Sequence, residues 1–314
     1  MLPRGQCRLC GADSELQESH VLPAFIYRWL RETSGNGHLR SGQMPNKRVQ
    51  DGHKRHWLCT RCEILFSDSE TAFASNLFYP YTKDSTGPVT YGPWLLRFCV
   101  SVSWRVLQFF KDEMSLKGYD ADALEAVAKA DEGWKDFLLG RSPHPGRFEQ
   151  HLLPMGAIEY SSAGPAFWSP NINRYLMRMI DKDLCRGSDG NILVYSKFGR
   201  FVLIGFVREI RPNEWRRTKV HVRKGSIEPR TEYHVPAAIV HYINDRAKRA
   251  AEIMASLSAR QSEKIDAAFK KSLDEFVGSD EFLAMQYDVE TFGDAAFTRK
   301  GQPALPSDDD RMNL

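Results

Sequence analysis

The sequence predicts an α+β protein: a small cysteine-bearing N-terminal domain, then a helical and antiparallel-sheet domain that ends in helices. Three observations carry this. Two Cys-x-x-Cys pairs, Cys7/Cys10 and Cys59/Cys62, bracket the first part of the chain. Apolar residues recur at strand spacing in several runs between Leu152 and Val222. Helical spacing governs much of the chain on either side.

Taken in order, residues 1–25 read as a cysteine knuckle, a turn at Gly11-Ala12-Asp13 and an extended segment reaching His20, which Pro23 closes. Ala24–Glu32 has helical spacing, with Phe25, Ile26 and Trp29 inward. Thr33–His53, rich in Gly, Ser, Asn and Pro, reads as a loop. A helix is expected from Glu63 to Phe78, ending before Pro80. Glu63, Phe66, Glu70, Phe73 and Leu77 share its inner face, so two carboxylates interrupt an apolar stripe. Each needs a cation or a paired base, and for Glu70 Arg28 or Arg31 are candidates.

Residues 81–92 read as a linker, and Pro93 as the first residue of a long helix. Asp122–Leu139 reads as a further helix. Strands are expected at Leu152–Tyr160, Ile192–Tyr195, Phe201–Val207 and Lys219–Val222, while Arg174–Ile180 fits either helix or strand. From Pro236 the pattern is helical again, with Ser258 and Gln261 spaced as a capping box. The expected domains are 1–80 and 81–300, the latter for recognition or regulation, with a disordered acidic tail at 301–314.

Two Cys-x-x-Cys turns together can present four thiolates to one tetrahedral ion, so a structural Zn2+ on Cys7, Cys10, Cys59 and Cys62 is expected. A redox motif does not explain two pairs. Cys99 and Cys185 alone remain, too few for a disulfide scaffold, and no signal peptide precedes the first knuckle. A cytoplasmic location is the expectation.

The chain has 314 residues, enough for about two domains, and its 42% hydrophobic and 26% charged content suit a folded protein. The net charge of +3 does not itself imply a nucleic-acid partner, but basic residues are unevenly placed. Between His38 and Arg61, Arg40, Lys47, Arg48, Lys54, Arg55 and Arg61 face the single acid Asp51. Lys197–Arg230 is similarly basic. Such stretches suit phosphate contacts, and a solvated face is the alternative. The apolar run Pro93–Met114 carries Arg97, Ser101, Arg105, Gln108 and Asp112 at helical intervals, so it is not read as a membrane span.

Cys7 and Cys10, then His20-Val21-Leu22-Pro23, then Leu58-Cys59-Thr60-Arg61-Cys62 followed by Glu63 resemble the HNH endonuclease family. The resemblance covers residues 1 to about 80. It implies a treble-clef zinc fold with a ββα-metal core, and a metal-dependent endonuclease that hydrolyses phosphodiester bonds, DNA being the expected substrate. By that resemblance His20 is the general base, and Glu63 holds a catalytic Mg2+ or Mn2+. The residue before the histidine, a metal ligand in the family, is Ser19 here, with Glu18 as a substitute. Asn36 and Asn46 are candidates for the asparagine that orients the histidine. Glu70 lies about 10.5 Å along the helix from Glu63, too far to share its ion. His20 as a further zinc ligand, or as a buried hydrogen-bonded histidine, stays open. A regulated defence effector with a regulatory protein partner is the expected context. The alternative is a non-catalytic, zinc-stabilised module that binds nucleic acid or protein.

Overall fold

A computed structural model describes residues 2–34, 37–42, 44–84, 87–113, 116–158, 166–229, 231–271 and 273–297. Asn36 and the tail at 301–314 lie outside the described residues. In chain order the elements are β1 (Arg4–Gln6), β2 (Asp13–His20), α1 (Ala24–Glu32), β3 (Leu39–Ser41), β4 (Met44–Val49), β5 (Lys54–Cys59), α2 (Thr60–Phe73), a π-type turn (Ala74–Phe78) and α3 (Tyr79–Asp84). There follow β6 (Val89–Tyr91), α4 (Pro93–Asp112), α5 (Ala121–Leu138), β7 (Gln150–Pro154), α6 (Ile172–Arg178), β8 (Ile180–Arg186), β9 (Ile192–Phe198) and β10 (Phe201–Arg208). A short turn at Pro212–Glu214 and β11 (Gly225–Ile227) lead to α7 (Ala237–Ala255), α8 (Ala259–Lys271), α9 (Leu273–Val277), α10 (Asp280–Phe292) and a last turn (Gly293–Phe297). With helices and antiparallel sheets mixed in this way, the fold is α+β.

Contacts group the chain into two units, each built from separated segments. The first comprises Met1–Tyr27, Asp51–Met155 and Ile180–Pro236. The second comprises the described residues of Arg28–Gln50, Gly156–Met179 and Ala237–Leu314. The boundary read at residue 80 divides the chain by order, whereas these units divide it by contact.

In the first unit, β1, β2 and β5 form an antiparallel sheet in the order β1-β2-β5, and α2 packs on β2 and β5. The helix that begins at α2 does not end before Pro80. The π-type turn leads directly into α3, and its wider bonding, with the Tyr79 N–H on the Ala74 carbonyl, accommodates Pro80, which has no N–H to give. The stretch read as a linker holds the end of α3 and β6, which pairs with β11.

Helix α4 is the centre of this unit. Pro93 starts it, as a residue with φ already helical should. It is buried from Leu95 to Phe109 except for Arg97, the pattern of a core helix rather than a surface one. One side meets α2 and α5, the other the sheet β7-β10-β9-β8. Strands β9 and β10 are buried on both faces; β10 is largely apolar, and β9 also buries Ser196 and Lys197. Ser103 of α4, outside the polar stripe, donates its hydroxyl to Gln150 Oε1 at 2.6 Å within the core. Gly205 lies opposite, and a Cβ there would fall 2.6 Å from Ser103 Oγ. Phe73 of α2 stacks on Phe98 of α4 with ring centroids 3.8 Å apart, and Phe198 and Phe201 close the cluster.

The strand expected at Lys219–Val222 is a single bridge between Lys219 and His151. The ambiguous Arg174–Ile180 contains the end of α6 and the first residue of β8, a strand the sequence pattern did not separate.

In the second unit, Thr33–His53 is not a plain loop, because β3 and β4 form an antiparallel hairpin within it. Asp288 of α10, fully buried, accepts from the N–H groups of Asn173 at 2.8 Å and Arg174 at 3.2 Å, satisfying the start of α6. At the start of α8, Asn46 Oδ1 accepts the N–H of Ser258 at 2.9 Å, the role the capping box would give to Gln261. Asn46 is therefore occupied there. Among the described residues no helix is long and apolar enough to cross a membrane.

Candidate functional site

The first knuckle is a tight turn in which Gly11 N–H donates to the Cys7 carbonyl at 2.8 Å. Gly11 has φ +78°, a conformation that costs a residue with a Cβ. Cys59 ends β5 and Cys62 sits in the first turn of α2, so the second pair straddles a strand-to-helix junction. The four Sγ atoms lie within 4.8 Å of one another, and Cys10 and Cys59 are 3.8 Å apart. Zinc–thiolate bonds of about 2.3 Å in a tetrahedron place sulfurs about 3.8 Å apart. The cluster therefore fits a metal ion such as zinc. A hydrogen bond with Cys62 draws the Cys7 thiol down to about 4, and the same contact, with burial, pushes Cys62 up. Cys10 is raised by burial.

His20 closes β2, with Nε2 2.7 Å from Asp51 Oδ2. It is not part of the four-cysteine group. Burial raises Asp51, but hydrogen bonds from His20, Gly52 and Lys54 lower it by more, so the carboxyl stays ionised and can only accept. Nε2 is therefore the donor in this contact, and in the neutral imidazole Nδ1 has the lone pair. Any side chain at Gly52 would strike the Tyr27 ring at 2.1 Å, and that ring faces His20 with centroids 6.4 Å apart. Lys54, the cross-strand partner of His20, places Nζ 3.1 Å from Asp51 and 3.3 Å from Glu18. Glu18 is half exposed and paired with Lys54.

Glu63 stands elsewhere. The fully buried Ser19 donates its hydroxyl to Glu63 Oε2 at 2.6 Å. The two positions flagged for a hard cation, the residue before His20 and the start of α2, are thus brought together. The imidazole itself is directed to Asp51. Glu70 meets neither Arg28 nor Arg31 in the ion pairs described; its partner is Arg105 of α4 at 2.6 Å. Arg105 is 2% exposed and also donates to the His20 carbonyl at 3.0 Å and the Ser101 carbonyl at 3.2 Å.

The five basic candidates are divided between the two units. Arg40, Lys47 and Arg48 belong to the second unit, Lys54 and Arg55 to the first. Arg40 and Arg48 are cross-strand partners in the β3–β4 hairpin, and Arg40 donates to the Pro45 carbonyl at 3.0 Å. Arg55 pairs with Glu113 at 2.5 Å. Trp57, weighed as a base-stacking residue, is buried, with the Arg8 guanidinium 5.1 Å from its ring centre.

Sequence reasoning missed Asp51 and Arg105 as partners of His20 and Glu70. Signals existed: Asp51 is the one acid in a basic stretch, and Arg105 interrupts the most apolar run. No family model, curated protein or solved structure matches the chain.

Proposed function

We propose that the first part of the chain is an HNH-like nuclease module, braced by zinc on Cys7, Cys10, Cys59 and Cys62, that hydrolyses phosphodiester bonds in nucleic acid. The observation that carries the reading is the 2.7 Å contact between His20 and Asp51. A carboxylate that holds Nε2–H leaves Nδ1 to take the proton of an attacking water, whose oxygen bonds phosphorus as the bond to the leaving oxygen breaks. Glu63, with the Ser19 hydroxyl beside it, would hold a hard divalent cation such as Mg2+ or Mn2+ together with substrate phosphate oxygens. Such an ion stabilises charge developing on the phosphate. DNA is the substrate we favour.

The test is relaxation of supercoiled plasmid with added Mg2+ or Mn2+, comparing the native chain with His20→Ala. Cleavage by the first and not the second is expected, and equal activity removes the reading. A second reading, a zinc-stabilised module that binds nucleic acid without cutting, is favoured by one observation: Ser19 already satisfies one oxygen of Glu63. It predicts salt-sensitive binding that survives His20→Ala and needs no added divalent ion.

A further inference from the structure

Three basic side chains from two elements and a connecting segment converge on one aromatic ring of the first unit. Phe109, near the end of α4, has the Lys182 ammonium 4.2 Å and the Arg55 guanidinium 5.2 Å from its centre. The His53 imidazole meets the same ring edge-on with centroids 4.9 Å apart. Lys182 Nζ lies 3.1 Å from His53 Nδ1, so the ammonium donates and the imidazole presents its remaining N–H outward from that contact. Arg55 is the cross-strand partner of Ser19. Lys182 comes from β8, far along the chain from the segment that resembles the endonuclease family.

Like charges do not gather on one ring without cost. Each cation is attracted by the ring face, but the two repel each other. Burial, Lys182 and Arg55 together hold His53 below its ordinary range, with Glu113 opposing them. Glu113 pairs with Arg55. On the same strand, Asp181 Oδ1 accepts the N–H of Lys182 at 2.9 Å and Asp183 Oδ1 that of Leu184 at 2.8 Å. An ammonium, a guanidinium fork and an imidazole N–H within one small area are the donor set that suits a phosphodiester oxygen.

We propose that Lys182, with Arg55 and His53 around Phe109, contacts the phosphate backbone of a bound nucleic-acid strand. The inference rests on the nucleic-acid partner named above, and not on catalysis.

The experiment measures binding of short fluorescent DNA duplexes and single strands of unrelated sequence across a salt series, without added divalent ion, with the full-length protein carrying His20→Ala. Lys182→Gln and Lys182→Arg are compared in that background, with thermal unfolding as a check on folding. Lys182→Gln is expected to weaken binding equally for every sequence and to lower the slope of log K against log salt by about 0.9 for duplex or about 0.7 for single strands. Lys182→Arg is expected to keep the slope. An unchanged slope in Lys182→Gln overturns the proposal, as does binding to an acidic peptide such as polyglutamate with none to DNA or RNA. If plasmid cleavage is absent while the slope depends on Lys182, the contact stands and the nuclease reading falls. If cleavage is present and the slope ignores Lys182, the reverse holds.

Discussion

Arg105 and Glu70 form an ion pair at 2.6 Å with the guanidinium almost wholly buried, and the same guanidinium holds the carbonyl of His20. Helix α4 is thereby tied to both the strand and the helix of the candidate site. Removing one partner of such a pair strands a buried charge, at a cost of about 3–5 kcal/mol. Glu70→Ala is expected to lose stability on that scale in urea unfolding. A loss below about 1 kcal/mol would place the pair with surface salt bridges instead.

The imidazole–carboxylate contact gives a kinetic prediction. His20→Ala should reduce plasmid cleavage about 10²–10⁴-fold, the usual range for a general base. Asp51→Asn puts an amide against Nε2 that can donate as well as accept, which loosens the tautomer. A drop of at least about tenfold is expected, with folding intact by circular dichroism. Full activity in Asp51→Asn would deny Asp51 its orienting role.

Elemental analysis should find zinc bound to the purified chain, and Cys62→Ala should abolish it. A thiolate-bound structural ion contributes on the order of 10 kcal/mol, as much as a whole domain's stability. Chelation should therefore lower the unfolding temperature sharply. Because the ligands must be deprotonated, release should increase as pH falls. Retention of the metal by Cys62→Ala would move the ion to another site.

Asp131 supplies a test of pH dependence away from the site. It is 6% exposed and accepts from Trp104 at 2.9 Å, Gln108 at 2.9 Å and Lys111 at 2.6 Å. Burial raises its pKa, but Lys111 and Lys135, with Gln108, lower it below the ordinary carboxylate value. A depressed folded-state pKa gives stability that is full above the unfolded value, about 4, and is lost as pH falls through the folded value. Acid unfolding of Asp131→Asn should lack that part of the pH slope, and an identical slope in both proteins would refute the assignment.

Local signals made much of the fold readable. The expected helix at Ala24–Glu32 has the bounds of α1, and Pro93 starts α4, because apolar spacing and a proline at the first helical position act within a few residues. The cysteine cluster was readable because its spacing encodes its geometry. What escaped depends on distant partners. Strand β8 mixes charges with apolar residues, and its pairing with β9 is what makes it a strand. Glu70 was recognised as needing a base, but its partner lies 35 residues on, on another helix. Asp51 stands 31 residues from His20, across the segment that carries the β3–β4 hairpin.

One irregularity of the β2–β5 ladder has its own consequence. Gln17 pairs with Leu58 and Glu18 with His56, so Trp57 is passed over, and its carbonyl is taken by the Arg8 N–H of the first knuckle at 2.9 Å. Side chains alternate along a strand, so a single supernumerary residue reverses which side everything beyond it faces. The extra residue lets Lys54 and Arg55 stay opposite His20 and Ser19 while the Trp57 carbonyl is given to the first knuckle. One short segment thus serves the ladder and the cysteine cluster at once.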